Sequence, residues 1–221
     1  MSVLNVAFLQ DAVWFGTDTI SYNSLGRPVR LSERKAEVAP SNRFIWSTRG
    51  LVTTGDRFDA LAREVETVDQ AEALANDFIR ELSDDDCDGG GFEVTVAGWS
   101  DAAGDLVVKQ AKRRGDVTWE PRSFVRGVYL APSCGNLAIP RQVTEAQFIA
   151  LAMAQGRIRD RFDATMCVGG VLHLTVATKT GCSQRIAAVF DGYDRDVAAL
   201  GFDPNAEDVA AFRMARSEVA A

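Results

Sequence analysis

The spacing of apolar and polar residues along the chain marks most of its elements. Val3–Leu9 and Val13–Thr17 are β-branched and aromatic runs parted by Gln10-Asp11-Ala12, which predicts a pair of strands. Ser21–Pro28 is polar, with Asn23, Ser24, Gly26 and Pro28 as breakers, and predicts a loop. Val29–Val38 alternates weakly as a further extended piece, and Arg43–Ser47 predicts a short buried strand ending near Gly50. Helical spacing follows. Thr54 or Asp56 is expected to cap a short helix running to Val65. Thr67 and Gln70 stand at capping-box spacing, and Ala71, Leu74, Ala75, Phe78, Ile79 and Leu82 then recur on one helical face. The acidic run Asp84–Asp88 and Gly89-Gly90-Gly91 end that helix in a solvated loop. Beyond it, Phe92–Gly98, Asp105–Gln110 and Ser123–Leu130 predict strands. Thr144–Arg161 predicts a second helix, with Phe148, Ile149, Leu151, Ala152 and Ile158 near one stripe. Val168–Thr178 and Arg185–Phe190 predict strands about the turn Thr180-Gly181, and residues from Asp203 onward predict a last amphipathic helix.

Strands and helices come in runs rather than alternating, which favours antiparallel sheets with helices packed outside them. A length of 221 residues with 47% hydrophobic and 25% charged residues is that of a globular chain. It is read as a single domain over residues 1–221, with 203–221 a C-terminal helical tail. The net charge of −7 argues against a phosphate-backbone partner, so no nucleic acid is expected. No apolar run reaches the length of a membrane span, since Leu4–Phe15 is broken by Asn5, Gln10 and Asp11. No secretory leader is read at the N-terminus, and the expected location is cytoplasmic.

Metal chemistry has little to build on. Cys87, Cys134, Cys167 and Cys182 form no C-x-x-C pair, and His173 is the sole histidine, so no metal and no cofactor are expected. His173 lies inside an apolar strand and is read as a structural residue. Gly89-Gly90-Gly91 lacks the Lys-Ser/Thr pair of a phosphate cradle.

The first strand pair carries the candidate chemistry. With a three-residue loop at Gln10–Ala12, Leu9 faces Val13 and Leu4 faces Asp18, and Ser2 becomes a diagonal neighbour of Asp18 on one face. A two-residue loop shifts the register by one and separates them. Ser2 follows Met1, and a small second residue permits removal of the initiator methionine. A free Ser2 would hold a nucleophilic hydroxyl and an amine base in one residue, the amine's reference pKa lying near 8. A neighbouring lysine would lower that pKa, and a carboxylate such as Asp18 would hold the lysine; Lys35 is the candidate.

These residues carry a resemblance. Val6–Asp18, then Lys35, then Ser47-Thr48-Arg49-Gly50-Leu51-Val52 resemble the N-terminal half of a proteasome-type β subunit, of the N-terminal-nucleophile hydrolases. Val94–Asp101 and the Gly-Gly strand Val168–Gly181 are similar to later parts of the same family, in the same order. The resemblance implies a four-layer αββα sandwich, an α+β fold with two antiparallel sheets between helix layers. It implies Ser2 as nucleophile, Asp18 and Lys35 as its charged partners, and Gly50 as the donor of an oxyanion-binding N–H. Thr48 and Val52 are implied to bind substrate, and Ser133 to support the site. Two stretches depart from the family pattern: Pro132-Ser133-Cys134-Gly135, and Thr165-Met166-Cys167-Val168-Gly169-Gly170. The implied activity is peptide-bond hydrolysis of a peptide or protein substrate in a homo-oligomeric ring, with a ring ATPase as a possible partner. A non-catalytic structural or assembly subunit and a small-molecule amidase or acylase are the alternatives.

Overall fold

The computed structural model describes residues 3–23, 25–32, 34–87, 91–115, 117–131, 137, 139–140, 143–159 and 168–202. The predicted C-terminal helix from Asp203 lies outside them. In chain order the elements are β1 (Leu4–Phe8), β2 (Ala12–Thr17), β3 (Ile20–Tyr22), β4 (Pro28–Leu31), β5 (Ala36–Val38), β6 (Phe44–Arg49), α1 (Val52–Ala62) and α2 (Val68–Glu81). There follow β7 (Phe92–Ser100), β8 (Asp105–Arg114), β9 (Val117–Ser123), β10 (Gly127–Tyr129), α3 (Glu145–Arg159), β11 (Val171–Thr178), β12 (Gly181–Val189) and α4 (Tyr193–Ala199).

The strands build three antiparallel sheets. The first has the order β10-β1-β2-β11-β12, the second β5-β6-β7-β8-β9, and β3 pairs with β4 alone. Apolar residues face each other between the two large sheets, with Phe15 and Val13 from the first meeting Ile45, Ala97 and Val108 from the second. α1 and α2 cover the other face of the second sheet, where Phe58, Phe78 and Ile79 pack on Phe44, Trp46 and Phe92. α3 covers the first sheet through Phe148 and Ala152 against Leu172 and Leu174. α4 joins Tyr193 and Val197 to Ile20, Tyr22 and Val171, beside the small sheet.

This corrects the expected four-layer αββα sandwich. The described chain is mostly β, with three sheets instead of two and only four helices. The physical reason is local. After Thr17 the chain leaves the first sheet at Asp18, and residues 20–31 pair with each other instead of with either large sheet. The seven-residue α4 then packs against this added hairpin.

The first hairpin also differs from expectation. Leu4 pairs with Thr17 and Phe8 with Val13, and the Leu9 N–H donates to the Ala12 carbonyl at 2.9 Å. The loop is therefore the two-residue Gln10-Asp11, and the ladder ends before Asp18. The face-sharing argument for Ser2 and Asp18 fails with it.

Other elements follow their local chemistry. Thr67 caps α2 by accepting the Gln70 N–H, while Gln70 accepts the Thr67 N–H, both at 3.2 Å. Thr144 and Gln147 make the same reciprocal pair at the start of α3. α1 starts earlier than expected, at Val52, and its N-cap Leu51 makes no side-chain capping bond. Within the strand expected over Ser123–Leu130 only Gly127–Tyr129 forms one, β10, while β9 ends at Ser123 and was not expected.

Candidate functional site

Asp18 stands just past the end of β2 and is fully buried. Three donors converge on its carboxylate. The Val3 N–H donates to Oδ1 at 2.9 Å, Lys35 Nζ donates to Oδ1 at 3.1 Å, and the Gly169 N–H donates to Oδ2 at 3.4 Å. Lys35 stands immediately before β5, with its side chain 9% exposed, and Nζ also donates to the Ile20 carbonyl. Burial pushes the Asp18 carboxyl up, against the pull of Lys35 and the two backbone N–H groups. Burial likewise pushes the Lys35 ammonium down, against the attraction of Asp18 and assisted by the charge of Arg49.

Backbone geometry around Asp18 is held from the far end of the chain. Gly170 has φ +84°, and a Cβ there would fall 2.1 Å from Thr19 Oγ1. That hydroxyl accepts the Val171 N–H at 3.0 Å, and the Thr19 N–H donates to the Gly169 carbonyl at 3.2 Å. Only a glycine at 170 lets the start of β11 lie this close to the segment after β2.

Lys35 opens onto a cleft of about 250 Å³, whose lining includes Thr48, Gly50 and Val52. Gly50 directly follows β6 with φ +142°, where a Cβ would strike the Phe92 ring. The cleft is rich in charge: Arg34 bonds Glu37 at 2.8 Å, and Arg49 bonds Glu93 at 2.8 Å. Asp59 accepts the Trp46 indole N–H at 2.7 Å. Burial pushes the Glu37 and Asp59 carboxyls up, with the arginine and indole bonds acting against it.

The structure thus brings Asp18 and Lys35 into contact and gathers Lys35, Thr48, Gly50 and Val52 on one cleft. Ser2 and Ser133 lie outside the described residues, as do Cys134 and Cys167. His173 is nearly buried in β11. Burial pushes the Cys182 thiol up to about 12, so it stays protonated. Among the described residues no group of three His, Cys, Asp or Glu could hold a metal ion.

Sequence reasoning missed Val3, Gly169, Glu37, Arg49 and Asp59 as parts of the site. It also missed the buried amide pair Asn5 and Gln155. Asn5 Nδ2 donates to Gln155 Oε1, and Asn5 Oδ1 accepts the Ala131 N–H at 3.3 Å. The one available signal was a polar residue at 155 on an otherwise apolar helical stripe.

No family model matches the chain, and no curated protein does. Solved structures do match. Anbu from Hyphomicrobium sp. strain MC1, as a (Gly-1) mutant, aligns with a TM-score of 0.61 at 12% identity over 91% of this chain and 92% of that one. A second structure of Anbu from the same strain gives 0.59 at 13% identity, over 90% and 92%. The fold is shared with Anbu. At these identities the likeness is one of fold alone, which corrects the expected kinship with proteasome β subunits: no sequence family stands behind it. Among the described residues no helix is long and apolar enough to cross a membrane.

Proposed function

We propose that this chain is a proteasome-like peptidase whose nucleophile is Ser2, exposed by removal of Met1. The fold shared with Anbu, a proteasome-like protein, supports the coarse assignment. The observation that carries the finer one is the buried Lys35–Asp18 pair at the edge of the cleft, with the amide joining residues 2 and 3 anchored on Asp18.

In this reading the Ser2 hydroxyl adds to the carbonyl carbon of the scissile amide while the Ser2 α-amine takes the hydroxyl proton. The Lys35 cation disfavours a second positive charge beside it and so keeps that amine unprotonated. Asp18 keeps Lys35 in place. The tetrahedral oxyanion is met by the Gly50 N–H. The C–N bond then breaks, and the proton held by the α-amine passes to the leaving amine. Water, deprotonated by the same amine, hydrolyses the resulting Ser2 ester, and the proton returns to the serine oxygen. The cleft with Thr48 and Val52 takes the side chain next to the scissile bond. A homo-oligomeric ring is part of the proposal, by analogy with the proteasome-like neighbour.

One observation favours a second reading, a non-catalytic structural or assembly subunit. Val168, in the stretch that departs from the proteasome pattern, is buried in the apolar cluster under α3 and offers no hydroxyl. Intact mass of protein purified from cells separates the two: the peptidase reading expects loss of Met1 together with cleavage of fluorogenic peptides. Quantitative retention of Met1 would overturn it. Native mass spectrometry of the same sample reports the assembly.

A further inference from the structure

We propose that Gln184 is a positioning residue that sets Lys35 against Asp18 from across the interface between the two large sheets. The inference rests on the reading of Lys35 given above. β5 is three residues long and stands at the edge of its sheet, so few ladder bonds hold the backbone that carries Lys35. Two side chains supply what the short strand lacks. Ser47 Oγ donates to the Lys35 carbonyl at 2.8 Å, from within the same sheet. Gln184 Nε2 donates to the Ala36 carbonyl at 2.7 Å, from β12 of the other sheet.

The second N–H of the same amide donates to Thr175 Oγ1, also at 2.7 Å. Thr175 is fully buried and directly opposite Gln184 in the β11–β12 ladder, so the amide is fixed at both ends. The approach to β11 also holds the other member of the pair, because Gly169, two residues before the strand, donates to Asp18. One strand and its lead-in thereby set the positions of both the ammonium and the carboxylate. Displacements of about 1 Å in such an arrangement cost roughly 100-fold in rate.

The test uses the full chain labelled with 13C at lysine Cε. The sequence has four lysines, Lys35, Lys109, Lys112 and Lys179, so the spectrum is sparse and Lys35→Arg assigns its signal. Gln184→Ala removes the tether, and Gln184→Met removes the amide while keeping the volume. Both variants are expected to shift the Lys35 titration midpoint by half a unit or more as its burial and its contact with Asp18 change together, leaving the other three unchanged. The rate of covalent modification of Ser2 by a hydroxyl-directed peptide inhibitor is expected to fall at least tenfold, its pH profile moving in parallel. If a folded Gln184→Met protein shows the wild-type Lys35 midpoint, the inference is overturned. If wild type itself fails to react while the midpoint moves in the variants, the peptidase reading fails and the positioning role stands.

Discussion

The backbone N–H of Val3 donates to the Asp18 carboxylate at 2.9 Å, inside the fold, where neither residue is exposed by more than 1%. This bond fastens Val3 to the carboxylate that also holds Lys35. It achieves by a backbone contact what a shared sheet face does not, since the β1–β2 ladder stops at Leu4 and Thr17.

Asp18→Asn is expected to be strongly destabilising. It leaves the Lys35 ammonium buried without its countercharge and turns an NH2 group toward donors that need an acceptor. Removing one partner of a buried ion pair costs about 3–5 kcal/mol. Urea unfolding monitored by tryptophan fluorescence measures it, and a loss below about 1 kcal/mol would contradict the buried pairing.

Gly170→Ala tests the close approach of β11 to the segment after Asp18. The added methyl would meet the Thr19 hydroxyl inside contact distance, at a φ of +84° that L side chains rarely adopt. Strain of this kind costs about 1–3 kcal/mol. The expected outcome is a lower urea midpoint and, in hydrogen exchange, loss of protection at Val171 and Thr19.

Thr67→Ala removes one half of the α2 capping box and is expected to cost about 1 kcal/mol without affecting the cleft. α2 was legible for that reason: cap and stripe are both local, and Ala71, Ala75, Phe78 and Ile79 are all buried as their spacing requires. The hairpin register was not legible, because Gln10-Asp11 lacks the glycine signal of a two-residue loop. β3 and α4 were missed because they are short, β3 lying in a stretch that reads as a polar loop and α4 opening at Gly192 without a side-chain cap. The Asp18–Lys35 contact was legible as a pairing of opposite charges around a free Ser2 amine, and the resemblance named the same two residues. The Gly169 and Gln184 contacts reach about 150 residues along the chain, and no local pattern encodes them.

Asp59→Asn separates burial from charge in the cleft. Burial raises the Asp59 carboxyl, so its folded pKa lies above the unfolded one of about 3.9. The stability this group contributes is full below the unfolded pKa and is lost as pH rises through the folded one. Asn keeps an oxygen for the Trp46 indole. The variant is therefore expected to gain on wild type as pH rises from about 4 toward neutrality, with Tm curves converging at low pH. An advantage for the variant that shrinks with rising pH would contradict that sign.

The central claim is that Ser2 is the nucleophile, and covalent trapping tests it most directly. Protein purified from cells is incubated with a hydroxyl-directed covalent peptide inhibitor and its adduct located by peptide mass mapping. The account predicts one adduct, on an N-terminal Ser2 freed of Met1, lost in Ser2→Ala and Lys35→Ala and kept in Ser133→Ala. An adduct on any other residue, or none on a chain whose Met1 has been removed, would contradict it.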